Sequence, residues 1–310
     1  MALSTRGFGW VAAPDVAVTG PLVEVQHDTL VRLALRRFLR HRLAIIGLAV
    51  VSTAIFIAVF APLITRFPPE VLDLRSIKQP PSALHPLGTD VLGYDVWTRI
   101  AFGARTSLVV GFGAVAISLV IGTILGVIAG FYGGIPDQII GRMTDTILSM
   151  PALLLVAVFV SVVGPSLQSV LIVIALLTWP QITRLVRGQY LALREAEFVT
   201  AARIIGVSNS SIMARHLLPN IFGPLSVAAT FYIAQAILLE SALSFLGLGV
   251  KPPTPSWGNM VNQAQSAAVL QLQPWTWIFP ALAIALVVLA INFIGDGLRD
   301  ALDPRSARRA

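Results

Sequence analysis

The sequence contains no cysteine, which excludes disulfides, thiolate metal sites and a cysteine nucleophile together. Only two lysines occur, Lys78 and Lys251, and neither follows a glycine. The G-x-x-x-x-G-K phosphate loop of nucleotide hydrolases is therefore missing. The four histidines, His27, His41, His85 and His216, never reach the i, i+4 spacing of a helical metal pair. His85 and Asp90 share one loop and read as a solvated pair rather than as metal ligands. With neither an H-E-x-x-H motif nor a nucleophile elbow, the chain offers no catalytic residue, no metal site and no cofactor site of its own.

Charge is scarce as well. Charged residues make up 12% of the 310 positions, far below the roughly 25% of soluble domains. Apolar residues make up 56%, and the mean hydropathy is +0.81. This is the composition of an all-α polytopic membrane protein. Predominantly apolar stretches at 43–65, 106–130, 143–163, 167–187, 220–246 and 277–296 predict six transmembrane helices, each near the ~20 residues needed to cross the hydrocarbon. Gly164, Pro165 and Ser166 divide the third from the fourth. Trp179 and Pro180 end or kink the fourth.

Six crossings put both termini on one side, and positive charge selects the side. The N-terminal segment, the 135–145 turn, the 180–219 region and the C-terminal tail hold sixteen of the 22 Lys and Arg residues. By the positive-inside rule they are cytoplasmic, leaving 66–105 and 247–276 outside. The basic balance, with a pI near 10.7, thus reflects topology and lipid contact. No basic stripe with interleaved aromatics points to nucleic acid. Residues 1–27 carry no regular pattern and remain an unassigned tail. Across 28–42, Arg32, Arg36 and Arg40 recur every four residues among leucines. That pattern fits an amphipathic helix at the inner membrane surface, or simple positive flanking of the first span.

Two features inside the spans stand out. Ala114, Ser118, Gly122, Gly126 and Gly130 follow one another at i+4, a stripped helix face built for close packing within the chain or against a partner subunit. Glu240 is the one ionisable residue well inside a span. It is a candidate for the substrate path, facing a pore or subunit interface, unless it sits in the outer headgroup zone.

A polar island interrupts the apolar pattern at 194–219. Ala201 and Ala202 give a first short helix a small-residue face, Gly206 ends it in the left-handed region, Ser208 caps a second, and Pro219 closes that one. A helix-turn-helix of this kind in a membrane protein reads as a docking element.

The island, with Thr200-Ala201-Ala202, Gly206 and Leu218-Pro219, resembles the EAA loop of permease subunits in binding-protein-dependent ABC importers. Further stretches resemble the C-type permease of dipeptide and oligopeptide importers. They are Gly88-Thr89-Asp90 with 103–108, Leu243 to Gly249 running into Pro252 to Gly258, and Gly295 to Arg299 with Asp303-Pro304.

The resemblance implies a type I importer permease fold, MetI-like. It implies a homologous second permease, two ABC ATPase subunits that bind ATP and magnesium, and an extracytoplasmic binding protein that delivers di- or oligopeptides. Glutathione and metal chelates are alternative cargoes. Residue by residue, it places Glu197, Thr200, Ala201, Ala202, Arg203, Gly206 and Ser208 in the element that couples to an ATPase. One position departs from the family: Tyr94 stands between Gly93 and Asp95 where arginine is usual. An ion-coupled secondary transporter is the rival class, and Glu240 is its only support.

Overall fold

The computed structural model describes residues 30–302. The 1–27 tail, the first two residues of the 28–42 segment and Asp303-Pro304 lie outside them. A short helix α1 (Leu30–Phe38) precedes α2 (Arg42–Ile64), which His41 caps by accepting from the Ala44 N–H at 3.1 Å. A segment of turns and bends then leads to α3 (Val96–Tyr132), the bent pair α4 (Gly134–Ser149) and α5 (Ala152–Val163), and α6 (Leu167–Leu193). Two short helices follow, α7 (Glu197–Ile204) and α8 (Asn209–Ser211). A π-helical turn (Ile212–Leu217) then runs into α9 (Leu218–Phe245). Helices α10 (Trp257–Val261) and α11 (Ala267–Leu272), with a 3₁₀ turn between them, precede α12 (Trp275–Leu302). Among the described residues five helices are long and apolar enough to cross a membrane, and α4–α5, bent by 90°, qualify together as a sixth.

Parallel packing of α3 on α6 organises the bundle. The Ser118 hydroxyl donates to the Ala175 carbonyl at 3.1 Å. A Cβ at Gly122, Gly126 or Gly130 would lie 2.8 to 2.9 Å from the carbonyl oxygens of Trp179, Thr183 and Arg187. Each partner lies 57 positions further along the chain, so the two helices run in the same direction in strict register. The stripe from Ala114 to Gly130 therefore serves packing within this chain. Helices running the same way require a return between them, which the bent pair supplies.

The next closest long-helix pairs are antiparallel. Gly111 packs against Ile237 of α9, Gly295 of α12 against Thr230 of α9, and Gly47 of α2 against the Ala290 carbonyl of α12. Direction thus alternates from α2 through α12. The start of α2, the end of α12 and α7 share one end of the bundle, and α10 and α11 occupy the other. At the first end, Gly297 fits beneath Ala44 and Phe38, and His41 Nε2 stands 3.5 Å from Asp300 Oδ2.

Several helix boundaries depart from the expected spans, each for a local reason. Helix α3 begins at Val96 rather than at 106, because Asp95 caps it by accepting from the Thr98 N–H at 2.8 Å. Arg105 remains inside the helix because its guanidinium reaches the carbonyls of Ala58 and Val59 at 3.2 Å. The single helix expected over 143–163 breaks at Met150-Pro151, since proline bars the helical conformation in the residue before it. Pro180 neither ends α6 nor bounds it. The helix runs on to Leu193, and Arg184 and Arg187 pair with Asp145 and Asp137 of α4. The segment expected to begin at 297 is still helical to Leu302.

Candidate functional site

The site is built at the α7 end of the bundle. Ala196, in extended conformation, precedes α7, with Glu197 in the first turn where the exposed N–H groups favour negative charge. Val199 and Ala202 are buried, and Glu197, Thr200, Ala201 and Arg203 are exposed. Ala201 and Ala202 therefore do not form one shared face. Ala202 joins Val199 against the bundle, and Ala201 looks outward.

The helix ends as its glycine requires. Gly206 adopts φ +82°. The Gly206 N–H donates to the Arg203 carbonyl and the Val207 N–H to the Ala202 carbonyl, both at 3.0 Å. Nothing lies within 4 Å of where a Cβ at Gly206 would stand, so backbone conformation alone calls for glycine here. Ser208 then caps α8 by accepting from the Ser211 N–H at 3.4 Å.

Pro219 does not close the second helix. It occupies the first turn of α9, and the chain passes from α8 through the π-helical turn into α9 without a break. The reason is steric: proline has no N–H to donate to the preceding turn and its ring crowds that turn's carbonyl. A widened turn before it accommodates both.

Residues outside the polar island anchor it. The Tyr190 hydroxyl donates to the Met213 carbonyl at 2.8 Å, and a Cβ at Gly130 would meet Tyr190 Cβ at 2.6 Å. Tyr190, Phe131, Val199, Ala202, Ile212 and Leu217 share one buried cluster. The Arg203 guanidinium lies 5.7 Å from the centre of the Phe131 ring. The ends of α3 and α6 thus hold α7 and the π turn together. On the free side, Ile204 is 80% exposed and Ile205 79%, beside half-exposed Phe198. Two fully presented isoleucines just before the helix-ending glycine were the signal in the sequence, obscured by the many isoleucines of the spans.

Two other expectations change. Glu240 is 0% exposed and accepts hydrogen bonds from Ser107 at 3.0 Å and Ser244 at 2.8 Å. An apolar-walled cavity of about 620 Å³ at the α7 end lies between α9 and α12, beside Phe231, Asn292 and Asp296. His85 and Asp90 are buried, not solvated. His85 pairs with Asp95 at 2.9 Å, and Asp90 accepts from the N–H groups of Leu92 and Tyr94 and from Gln263. Tyr94, the departure from the family pattern, is itself buried and stacks beneath the Arg99 guanidinium at 4.4 Å. No group of acidic or histidine side chains able to hold a metal occurs among the described residues.

Residues 122–308, more than half of the chain, match the family model of the binding-protein-dependent transport system inner membrane component. The chain belongs to this family. Residues 29–81 match the N-terminal transmembrane domain of oligopeptide transport permease C. The dipeptide transport system permease protein DppC of Alkalihalophilus pseudofirmus is 46% identical over 274 residues, covering 88% of this chain and 90% of that one. Among solved structures, the MetNI methionine ABC transporter in its inward-facing CY5 native crystal form gives a TM-score of 0.53 at 19% identity, over 65% of this permease and 94% of that chain. Its CY5 selenomethionine-soak form gives 0.50. At that identity the likeness speaks for the fold alone, a MetI-like helical bundle.

Proposed function

We propose that this permease forms half of the translocation pathway of an ATP-driven importer for di- and oligopeptides. It would pair with a homologous second permease, and two ABC ATPase subunits would bind ATP and magnesium and dock on α7. An extracytoplasmic binding protein would deliver the peptide to the opposite end. The chain itself would take no cofactor and perform no hydrolysis. Both termini and α7 would face the cytoplasm, as the positive charge implies.

One observation carries the docking role: a short helix fixed to the bundle on one side through Val199 and Ala202 offers Ile204 and Ile205 to the solvent on the other. Exposed apolar side chains at the aqueous edge of a membrane protein mark an interaction surface. The peptide cargo follows from the dipeptide permease relative and the oligopeptide permease C match.

The test is isolation of the permease in mild detergent from its native membrane. An ABC ATPase co-purifying with the wild-type chain, and lost from an Ile204→Asp/Ile205→Asp variant that still folds, is the expected result. An ATPase that stays bound to that variant would refute the docking role.

A further inference from the structure

The buried carboxylate left over from the substrate path sits at a junction. Glu240 lies on α9, 22 residues beyond Leu218, roughly 33 Å along one continuous helix from the π turn. Ser107 of α3 donates to one of its oxygens at 3.0 Å, and Ser244, one turn further along α9, donates to the other at 2.8 Å.

Both serines are themselves held by the start of α10. The Trp257 N–H donates to the Ser107 hydroxyl at 3.3 Å, and the Ser256 hydroxyl donates to that of Ser244 at 3.5 Å. Ser256 is fixed in turn by a capping box with Asn259. Two relays therefore run from the capping residue and the first residue of α10 to the two oxygens of one carboxyl group.

Packing closes the same joint. A Cβ at Gly258 would lie 2.6 Å from Ser241 Cα, and one at Gly103 would lie 3.2 Å from Trp257 Cδ1. The Trp257 indole donates to the Ile100 carbonyl at 3.1 Å. A carboxyl group enclosed in this way is costly to leave without partners, so losing it would also orphan the serines that depend on it.

We propose that Glu240 is a positioning residue that locks α10 to α9 and α3, so that movement applied at α7 reaches the 247–276 segment through a single rigid member. The proposal rests on the coupling role of α7 given above. It assigns Glu240 a mechanical function with no contact to cargo. What the lock needs is a group that hydrogen-bonds both serines, and an amide can do so because a serine hydroxyl can accept as well as donate. An electrostatic seat for a substrate ammonium would instead require the charge.

Glu240→Gln and Glu240→Ala separate these cases in the importer complex reconstituted with its ATPases and binding protein. Glu240→Gln is expected to transport like the wild type. Glu240→Ala is expected to keep its ATPases, lose about tenfold in uptake, and hydrolyse ATP without response to loaded binding protein. A Gln variant as impaired as the Ala variant would overturn the proposal, and so would normal coupling in Glu240→Ala.

Because the chain has no native cysteine, spin labels at Ser210→Cys and Thr254→Cys report the lock directly in the permease, with or without bound ATPase. One narrow distance in the wild type and the Gln variant, broadened in the Ala variant, is the expected pattern. Equal widths in all three would overturn the lock, while a wild-type chain that binds no ATPase would refute only the docking role. Should Glu240→Ala fail to fold, Ser256→Ala, which cuts one relay and leaves both direct donors, is expected to broaden the same distance. An unchanged distance in Ser256→Ala would then count against the proposal.

Discussion

The hydroxyl of Tyr190, near the end of α6, donates to the carbonyl of Met213 in the π turn at 2.8 Å. Tyr190 also covers Gly130 at the end of α3. One side chain thus ties the tightest helix pair of the bundle to the turn that carries α7 into α9.

Tyr190→Phe keeps the ring over Gly130 and removes that hydrogen bond. A stability loss of about 1 kcal/mol is expected, with faster amide exchange confined to residues 212–218. Exchange accelerated instead throughout α6 would mean that the hydroxyl supports the bundle rather than the joint.

Small residues on α3 carry more weight than the polar contact beside them. Gly126→Ala would place a methyl group 2.7 to 2.9 Å from Val186 and the Thr183 carbonyl, and a loss of about 1–3 kcal/mol is expected. Ser118→Ala, which removes the hydrogen bond to Ala175, is expected to cost about 0.6 kcal/mol. Gly141 on α4 has open space where a Cβ would stand, and Gly141→Ala is expected to stabilise by about 0.4–1 kcal/mol. Thermal unfolding in detergent ranks the three.

Gly206→Ala tests the turn after α7 without any steric clash. The positive φ costs an alanine about 1–2 kcal/mol, so the end of α7 is expected to fray and uptake to fall. Gly206→Asn, which tolerates the left-handed region better, is expected to retain more activity than alanine. An alanine variant indistinguishable from wild type in uptake would count against a role for the fixed end of α7.

Much of this was legible in the sequence because it rests on strong local signals. Gly206 adopts the left-handed turn its position implied, Ser208 caps, and the i+4 stripe from Ala114 to Gly130 marks a packed face. Features that depend on partners distant in sequence were hidden. Arg105 reads as a helix boundary until α2 supplies carbonyls for it, and Glu240 reads as a pore residue until Ser107, 133 positions earlier, closes over it. Asp90 reads as solvated until Gln263, 173 positions further on, reaches it, whereas the partner of His85, Asp95, stood only ten positions away. Pro219 signals a stop by local rules, yet the π turn before it lets α9 begin there.

The most direct test of the central claim uses a single cysteine at Ala201, on the exposed side of α7. Cross-linking is carried out in native membranes with and without nucleotide. The account predicts a covalent adduct between Ala201→Cys and an ABC ATPase subunit, and none from Val120→Cys, an exposed position in the middle of α3. An Ala201→Cys chain that reaches no ATPase in any nucleotide state would contradict it.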